Sequence, residues 1–266
     1  MNIVDSVVVV TGAGSGIGAE LAARFAAAGA AHVVLADRDR PAVERGAQAI
    51  GSAASAVEVD VTDEAAVRGL VAAVLEQHGR IDLFCSNAGL ALGVGIDGDD
   101  EPWQRAWSVH VLAHVYAARA VIPAMIEAGG GYLLNTASAA GLLSAPGDAP
   151  YSVTKHAAVA LAEWLAFSYR DAGIGVSVLC PMGVDTPLLM DGLQAGHAGA
   201  RAVAASGTVI GVAEVADAVL AGLAAETFLI LPHPEVGKFW AGKAADPQRW
   251  LAGMARLAAH TGSAAD

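Results

Sequence analysis

Basic residues, cysteines and long apolar runs are all scarce in this sequence. Its 266 residues include 15 Lys and Arg against 27 Asp and Glu, which gives a formal net charge of −12. Nucleic acids and anionic membranes are bound by clustered Lys and Arg, so we expect neither as a partner. No apolar run approaches the ~20 residues of a membrane-spanning helix, and no basic region precedes the first predicted strand, so we expect no signal peptide. These absences predict a cytoplasmic protein.

The two cysteines, Cys85 and Cys180, fall near the C-terminal ends of apolar, strand-like runs. This position is typical of buried thiols, which pack as small apolar side chains, and not of a disulfide or a nucleophile. We therefore assign them no chemical role.

Short Val-, Leu- and Ile-rich runs alternate with helical stretches along the chain. Strands are predicted near 6–11, 32–36, 55–59, 81–86, 131–137, 174–180 and 227–231. Helices are predicted near 16–28, 41–50, 63–78, 102–127, 151–171 and 212–224. This alternation indicates an α/β fold with a parallel sheet covered on both faces. No linker interrupts it, so we expect one domain over 1–260, followed by a disordered tail at 261–266.

Small and polar residues follow the ends of the predicted strands: Gly12, Asp37, Asp60, Asn87, Ser138 and Pro181. Ligands of open parallel sheets bind at the carboxyl ends of the strands. The sequence therefore predicts one site at one edge of the sheet.

Tyr151 and Lys155 lie four residues apart in an apolar helical stretch, and Ser138 lies thirteen residues before Tyr151. Residues at i and i+4 share a helix face, so the Lys155 ammonium can lie beside the Tyr151 phenol. A nearby cation stabilises phenolate, and we expect it to lower the pKa of Tyr151 from about 10. Such a phenol can exchange a proton with a substrate oxygen, which indicates an oxidoreductase. The alternative interpretation is that Tyr151 and Lys155 are an ordinary i,i+4 pair on the surface of a helix.

The first predicted strand runs directly into TGAGSGIG at 11–18, and an Ala-rich helix follows. Strand, glycine turn and helix together form a dinucleotide cradle. Gly12 permits the tight turn, Gly16 lets the backbone approach the pyrophosphate and Gly18 allows close helix packing, while the helix N-terminus offers free N–H groups to the phosphates. The spacing is Gly-x3-Gly-x-Gly, so this loop alone would also fit an ordinary strand–helix turn.

Five motifs occur in a fixed order across nearly the whole chain: TGAGSGIG at 11–18, NAG at 87–89, a serine at 138, YSVTK at 151–155 and PMGVDT at 181–186. In this combination the sequence resembles the short-chain dehydrogenase/reductase family. The resemblance implies a single-domain Rossmann-type doubly wound sheet of about seven strands. It also implies that Ser138 holds the substrate oxygen, that Tyr151 donates or accepts the proton, and that Lys155 tunes Tyr151 and binds the nicotinamide ribose.

The choice of cofactor depends on Asp37 and Arg38 at the end of the second strand. An acid here hydrogen-bonds the adenosine ribose and repels the 2′-phosphate of NADP, which favours NAD. The Arg38 guanidinium could instead bind that phosphate, lie over the adenine or simply be solvated. By resemblance, Asp60 and Val61 lie at the adenine, although Asp60 could also serve as a helix N-cap, for which Thr62 is better suited.

Two further segments resemble cofactor-binding parts of the family. The resemblance implies that Asn87 helps to fix a turn beside the cofactor. It also implies that, in the 181–186 loop, Val184 bonds the carboxamide through its backbone and Thr186 contacts the carboxamide or the phosphate. Met182 replaces a glycine common in the family, which affects the substrate wall. The complete set of residues expected at NAD is Gly12, Ser15, Gly16, Ile17, Gly18, Asp37, Arg38, Asp60, Val61, Asn87, Ala88, Gly89, Tyr151, Lys155, Val184 and Thr186.

His110 stands where the family usually has an asparagine that is associated with a water relay from the lysine. Histidine exchanges protons near neutral pH, so His110 could replace this relay, or it could be a core histidine with satisfied hydrogen bonds. His110 and His114 lie at i and i+4, but the residues between them are Val, Leu and Ala and no third ligand is evident. We therefore predict no metal.

The candidate substrate pocket is almost entirely apolar, which favours a neutral secondary alcohol or its ketone. Its residues are Leu90, Ala91, Leu92, Ala140, Leu142, Leu143, Met182, Leu188, Leu189, Met190 and Leu193. The region near 187–210 is predicted to be a mobile lid. The helical stretch at 235–259 has Trp250, Met254 and Leu257 on one face, and we expect this face to dock on its own subunit or on a neighbour.

The sequence thus predicts an NAD-dependent short-chain alcohol dehydrogenase or ketone reductase with a small-molecule substrate. Related enzymes usually form dimers or tetramers, so a homo-oligomer, and specifically a homotetramer, is expected. Two alternatives remain: an NADP-preferring carbonyl reductase, and a regulatory protein that binds NAD without turnover.

Overall fold

Seven strands form over residues 1–262, which are the residues that the computed structural model describes. They lie within a few residues of the predicted positions: β1 Val7–Thr11, β2 His32–Asp37, β3 Ala54–Glu58, β4 Leu83–Ser86, β5 Gly131–Thr136, β6 Ile174–Leu179 and β7 Leu229–Ile230. All pair in parallel in one sheet of order β3-β2-β1-β4-β5-β6-β7. The order reverses between β1 and β4, as in a Rossmann-type fold, and ligands of such sheets bind in the crevice at this reversal.

Helices cover both faces of the sheet, as predicted. They are α1 Gly16–Ala27, α2 Arg40–Ile50, α3 Glu64–His78, α4 Asp100–Trp107, α5 Ala113–Glu127, α6 Ala140–Leu143, α7 Ala149–Ser168, α8 Pro187–Gln194, α9 Ala198–Ser206, α10 Val212–Ala224, α11 Glu235–Ala245 and α12 Pro247–Thr261. Alternate side chains of a strand point to opposite faces. Val8 accordingly belongs to the core layer that contains Phe25 of α1, and Val9 belongs to the layer that contains Val121 of α5.

The long helix predicted over 102–127 is not continuous. A π-helical turn, Ser108–Leu112, separates α4 from α5, and such turns occur often at functional sites. By length and composition the whole segment 100–127 could cross a membrane, although the sequence showed no obvious apolar run of that kind. Half of its most apolar window is buried in the protein, where Val121, Ile122 and Met125 pack in the core. The segment therefore has the packing of a core helix.

Two local expectations are wrong. The N-cap of α3 is neither Asp60 nor Thr62 but Asp63, whose carboxylate accepts hydrogen bonds from the N–H groups of Ala65 and Ala66. The expected disordered tail does not begin at residue 261, because Thr261 is the buried last residue of α12. Residues 263–266 of that tail lie outside the described residues.

Candidate active site

A cavity of about 1000 Å³ lies at the carboxyl ends of the strands. Every residue expected at the cofactor lines it except Gly18, and Ser138 lines it as well. The strand ends bring these residues together because the parallel strands all end at the same edge of the sheet. The sequence placed them on this edge; the structure adds that they share one continuous space.

The glycine loop is packed too tightly for side chains. Gly12 has φ +65°, and a Cβ there would lie 2.7 Å from the backbone of Ala88. A Cβ on Gly18 would overlap the Gly12 carbonyl and would lie 2.6 Å from the Asn87 amide nitrogen. Asn87 is fixed beside this loop, because its backbone N–H donates to the hydroxyl of Thr11, the last residue of β1, at 3.0 Å. Gly18 therefore does not line the cavity; it allows α1 to pack closely against the turn at Gly12.

The end of β2 presents a carboxylate to the cavity. Asp37 accepts hydrogen bonds from the N–H groups of Gly14 and Asp39, both at 3.0 Å. Asp60 accepts from the N–H and the hydroxyl of Thr62, and these bonds lower the pKa of Asp60, with a smaller contribution from the Arg38 charge. Arg38 is exposed. Both carboxylates are thus held in place by backbone N–H groups.

Lys155 is buried, with 2% of its surface exposed, and its Nζ donates to the Thr136 carbonyl at 3.0 Å. Its ammonium lies 5.6 Å from the centre of the Tyr151 ring. Burial lowers the pKa of Lys155 to about 8. An ammonium has three donors, and the hydrogen bonds within residues 1–262 use one of them, so two remain for a ligand.

The expectation that Lys155 lowers the pKa of Tyr151 is wrong for the protein without a ligand. Burial raises the pKa of Tyr151, and the nearby Asp148 and Cys180 groups also raise it, while the Ser138 hydroxyl acts in the opposite direction. The Lys155 ammonium lies over the ring and is engaged by Thr136, so removal of the phenol from water outweighs its charge. The thiols themselves are buried and unpaired, as expected.

Ser138 is 8% exposed and lies in the segment between β5 and α6. Its Oγ accepts from the N–H of Ala140 at 3.1 Å and lies 3.4 Å from the Pro181 carbonyl oxygen. The Ala139 N–H donates to the same carbonyl at 2.7 Å. These contacts join the serine segment to the start of the 181–186 loop.

His110 is fully buried in the π-helical turn, and both of its ring nitrogens are engaged. Nε2 accepts from the Leu90 N–H at 3.1 Å, so the proton is on Nδ1, which lies 2.8 Å from the Thr154 hydroxyl. Thr154 in turn donates to the Pro150 carbonyl. Burial and the Lys155 charge hold the pKa of His110 well below its usual range. The structure favours the core interpretation over the proton relay, because this imidazole is neutral and already satisfied.

His110 and Asp148 together hold the loop that follows β4. The Asp148 carboxylate is buried and accepts from the N–H groups of Leu92 and Gly93, each at 2.8 Å, and from the N–H of Tyr151 at 3.0 Å. One side chain therefore caps α7 and anchors the loop beside Tyr151. The sequence analysis missed Asp148, although an acid just ahead of a helix with proline in its first turn is a recognisable N-cap signal.

The other half of the cavity is lined mostly by apolar side chains. Of the predicted pocket residues, Leu90, Ala91, Ala140, Leu143, Met182, Leu188 and Leu189 line it, whereas Leu92, Leu142, Met190 and Leu193 do not. The predicted lid consists of α8 and α9. Residues that were not predicted here include Phe239, Trp250, Met254 and Leu257, from α11 and α12, and the charged Arg105, Asp148 and Asp191.

The C-terminal helices dock on their own subunit. The Arg201 guanidinium of α9 donates to the Thr261 carbonyl at the end of α12, at 2.9 and 3.2 Å, and also to the Gly196 carbonyl. Lys243 of α11 donates to the Leu142 carbonyl at 2.7 Å. The substrate side is thus built from helix-to-helix contacts.

Ser144, which also lines the cavity, has φ +64°, a conformation that costs a residue other than glycine of order 1 kcal/mol or more.

The residues present fit a dinucleotide. The glycine loop leaves the cavity wall as bare backbone at Gly12 and Gly16, the α1 N-terminus follows directly, and a carboxylate stands at the end of β2. Lys155, also at the cavity wall, has two donors that no group within residues 1–262 uses.

Comparison with known proteins gives consistent matches. A sequence model described as short chain dehydrogenase matches residues 6–195. The 1-deoxy-11-beta-hydroxypentalenate dehydrogenase of Streptomyces exfoliatus is 38% identical over a match of 242 residues that covers 88% of this chain and 86% of the relative. A short-chain dehydrogenase/reductase from Burkholderia phymatum, solved in complex with NAD, superposes with a TM-score of 0.86 and 30% identity, covering 94% of this chain and 96% of its own. A short chain dehydrogenase from Burkholderia cenocepacia, in complex with NADP, has a TM-score of 0.81 and 25% identity over 96% and 99% of the two chains.

Proposed function

The chain belongs to the short-chain dehydrogenase/reductase family, and on this basis we propose that it transfers a hydride between NAD and a neutral, apolar secondary alcohol or the corresponding ketone. The observation that carries the proposal is the convergence of Ser138, Tyr151 and Lys155 in the wall of the cavity that also contains the glycine loop. The bound cofactor would supply the hydride acceptor for oxidation of the alcohol, or in its reduced form the hydride donor for reduction of the ketone. The remaining chemistry is proton transfer and positioning, which the chain's own residues perform.

Tyr151 is the proton donor or acceptor for the substrate oxygen, and Ser138 holds that oxygen. The raised pKa of Tyr151 keeps the phenol protonated in the free protein, so proton removal has to be assisted within the complex. Lys155 is suited to this role. Its ammonium lies 5.6 Å from the centre of the Tyr151 ring, and two of its N–H groups can donate hydrogen bonds, one to a ribose hydroxyl and one to the phenolate. A general acid or base in position contributes roughly 10²–10⁴-fold to the rate.

The preference for NAD rests on Asp37. Its carboxylate is fixed by two backbone N–H groups at the cavity wall, where it would repel the 2′-phosphate of NADP. The exposed Arg38 is the opposing feature, and solved relatives bind either cofactor. We expect the protein to use NAD in preference to NADP. The substitution Asp37→Ser should reduce the ratio of activity with NAD to activity with NADP. A wild-type preference for NADP would assign control of the site to Arg38.

The substrate proposal rests on the apolar wall made by Leu143, Phe239, Trp250 and Met254. The Streptomyces exfoliatus relative is named for a hydroxylated carboxylate, so it supports only the hydroxyl group of the proposed substrate; the neutral, apolar framework rests on the cavity wall. Steady NADH formation with a panel of apolar secondary alcohols tests this directly. A hydroxy acid of matched size is the control. A preference for it would contradict the neutral substrate and point to Arg105 as the carboxylate partner.

We also propose a cytoplasmic homo-oligomer, a dimer or tetramer. Val153, Trp164 and Phe167 on α7 are 50–69% exposed, and Trp107 on α4 is 44% exposed. Large exposed apolar side chains on neighbouring helices mark contact surfaces. In sedimentation analysis the wild type should run as a dimer or tetramer. Phe167→Asp should run as a smaller species, because the added carboxylate opposes the apolar contact. A monomeric wild type would exclude the assembly.

A further inference from the structure

His233 lies in the segment between β7 and α11, with 2% of its surface exposed. It does not line the cavity, but it contacts two segments that do. Its Nδ1 lies 3.2 Å from the backbone nitrogen of Met182. Its Nε2 lies 3.1 Å from the Gly183 carbonyl oxygen and 3.2 Å from that of Thr208.

These partners determine where the ring proton lies. The Met182 N–H can only donate, so Nδ1 accepts and the proton is on Nε2, which divides it between the two carbonyl oxygens. The imidazole is therefore neutral in this arrangement, and all of its hydrogen-bonding capacity is used. A buried side chain with three backbone partners fixes the relative positions of the segments that carry them.

The segments it joins are the 181–186 loop and the return from α9. The two run side by side, because the Ile210 N–H donates to the Gly183 carbonyl at 3.0 Å and the Asp185 N–H donates to the Ile210 carbonyl at 2.9 Å. At its other end the loop begins at Pro181, whose carbonyl receives the Ala139 N–H next to Ser138. His233 thus lies outside the cavity, where three parts of its wall meet: the segment of Ser138, the 181–186 loop and the end of the predicted lid.

We propose that His233 is a positioning residue, which sets cofactor affinity and lid closure by locking the backbone at 182–183 against the end of the lid. The proposal rests on the proposed function for the identity of the cofactor. It acts through Met182, which lines the cavity, and through Val184 and Thr186, which follow in the same loop. No charge change is involved; what His233 supplies is one acceptor and one shared donor at fixed positions.

Substitution by each of the two amide side chains separates these contacts. An asparagine amide falls near the position of Nδ1 and can still accept from Met182, whereas a glutamine amide reaches the position of Nε2 and can still donate to Gly183 and Thr208. We expect His233→Ala to weaken NADH binding about tenfold and to raise the KM for the alcohol with a smaller change in kcat. His233→Gln should recover most of the loss and His233→Asn less, since Gln preserves the bridge between the loop and the lid.

NADH binding is measured by energy transfer from the tryptophans, of which Trp250 lines the cavity. A second readout needs no cofactor: the rate of tryptic cleavage after Arg201 within α9, which should rise in His233→Ala and return toward wild type in His233→Gln. Val236→Ala is the matched control, because Val236 is fully buried nearby but belongs to the core; it should lower stability without changing either readout.

The proposal is overturned if His233→Ala binds NADH within twofold of wild type and is cleaved at the same rate. It is equally overturned if Ala, Asn and Gln lose the same amount, because that pattern reports lost packing alone. Should His233→Ala fail to fold, the comparison of Gln with Asn still decides. Failure of wild type to bind NADH or NADPH would instead refute the proposed function, while the cleavage rates would still test the bridge.

Discussion

The two halves of the cavity are built in different ways. In the cofactor half, backbone groups and short polar side chains stand directly at the ends of β1 to β4, and each is fixed by a backbone hydrogen bond, as Asp37 is by Gly14. In the substrate half, apolar side chains come from helices α8, α9, α11 and α12. Side chain to carbonyl hydrogen bonds join α9 to α12 and α11 to α6. The first half is a property of the sheet, and the second is a property of how the last third of the chain packs.

This difference determines what each half tolerates. A change at a strand end is expected to disturb the backbone that we propose binds the cofactor, whereas a change between the helices of the predicted lid is expected to alter access to the site and leave the sheet intact. Loops and lids belong to the less stable parts of a structure. Tyr151 and Lys155 stand at the boundary between the halves.

The largest effect is expected at that boundary. Tyr151→Phe keeps the ring and removes the phenol oxygen, so turnover should fall by roughly 10²-fold or more, while NAD affinity stays within a few fold. Single-turnover rates together with NADH binding titrations measure the two. Retention of more than about a tenth of the activity would remove Tyr151 from the proton-transfer role.

The next effect tests the rigidity of the cofactor half. Gly18→Ala places a methyl group against the Gly12 carbonyl and should destabilise the fold by about 1–3 kcal/mol, with weaker NAD binding and an unchanged KM for the alcohol at saturating cofactor. Gly69→Ala in α3 is the matched control, since nothing lies within 4 Å of its Cβ position; it should stabilise by about 0.5–1 kcal/mol. If both variants behave alike, the close packing at Gly18 has no functional weight.

The residues that we propose hold the cofactor are also the ones whose position at the cavity the sequence could predict. Gly12, Asp37, Asp60 and Asn87 are readable because each follows an apolar strand, and parallel strands bring their ends to one edge. The substrate half was not readable in this way. The sequence showed Trp250, Met254 and Leu257 on one helical face but could not say against what this face packs.

Hydrogen-bond partners distant in sequence explain the other failures. Asp148 reaches Leu92, and His233 reaches Met182 about 50 residues away, contacts that no local pattern encodes. The pKa of Tyr151 was mispredicted for a related reason, because the i,i+4 spacing gives the position of a charge but not the burial that opposes it.

A third substitution tests the packing of the substrate half. Arg201→Ala removes the hydrogen bonds from α9 to the Thr261 carbonyl. A bond from a charged group contributes about 1.5–3 kcal/mol when buried; because Arg201 is largely exposed, we expect only about a fivefold rise in the KM for the alcohol, with NAD affinity unchanged. Arg68→Ala, at an exposed arginine of α3, is the control. An equal loss of NAD affinity would mean that the halves are not independent.

The smallest effect on turnover is expected at His110, which belongs to neither half but supports the loop between them. The pKa of His110 is held well below its usual range, so it is neutral in the folded protein while the unfolded chain takes up a proton below about 6.5. The unfolded state then binds more protons, and this group's contribution to stability is lost as pH falls below about 6.5. His110→Asn should reduce, but not abolish, that acid dependence of the unfolding midpoint, because burial also lowers the pKa of His114, to about 3; the pH profile of kcat between 6 and 8 stays unchanged. If the substitution instead removes an ionisation from the kcat profile, His110 does carry a proton in catalysis, and the hydrogen bonds to Leu90 and Thr154 do not describe the working enzyme.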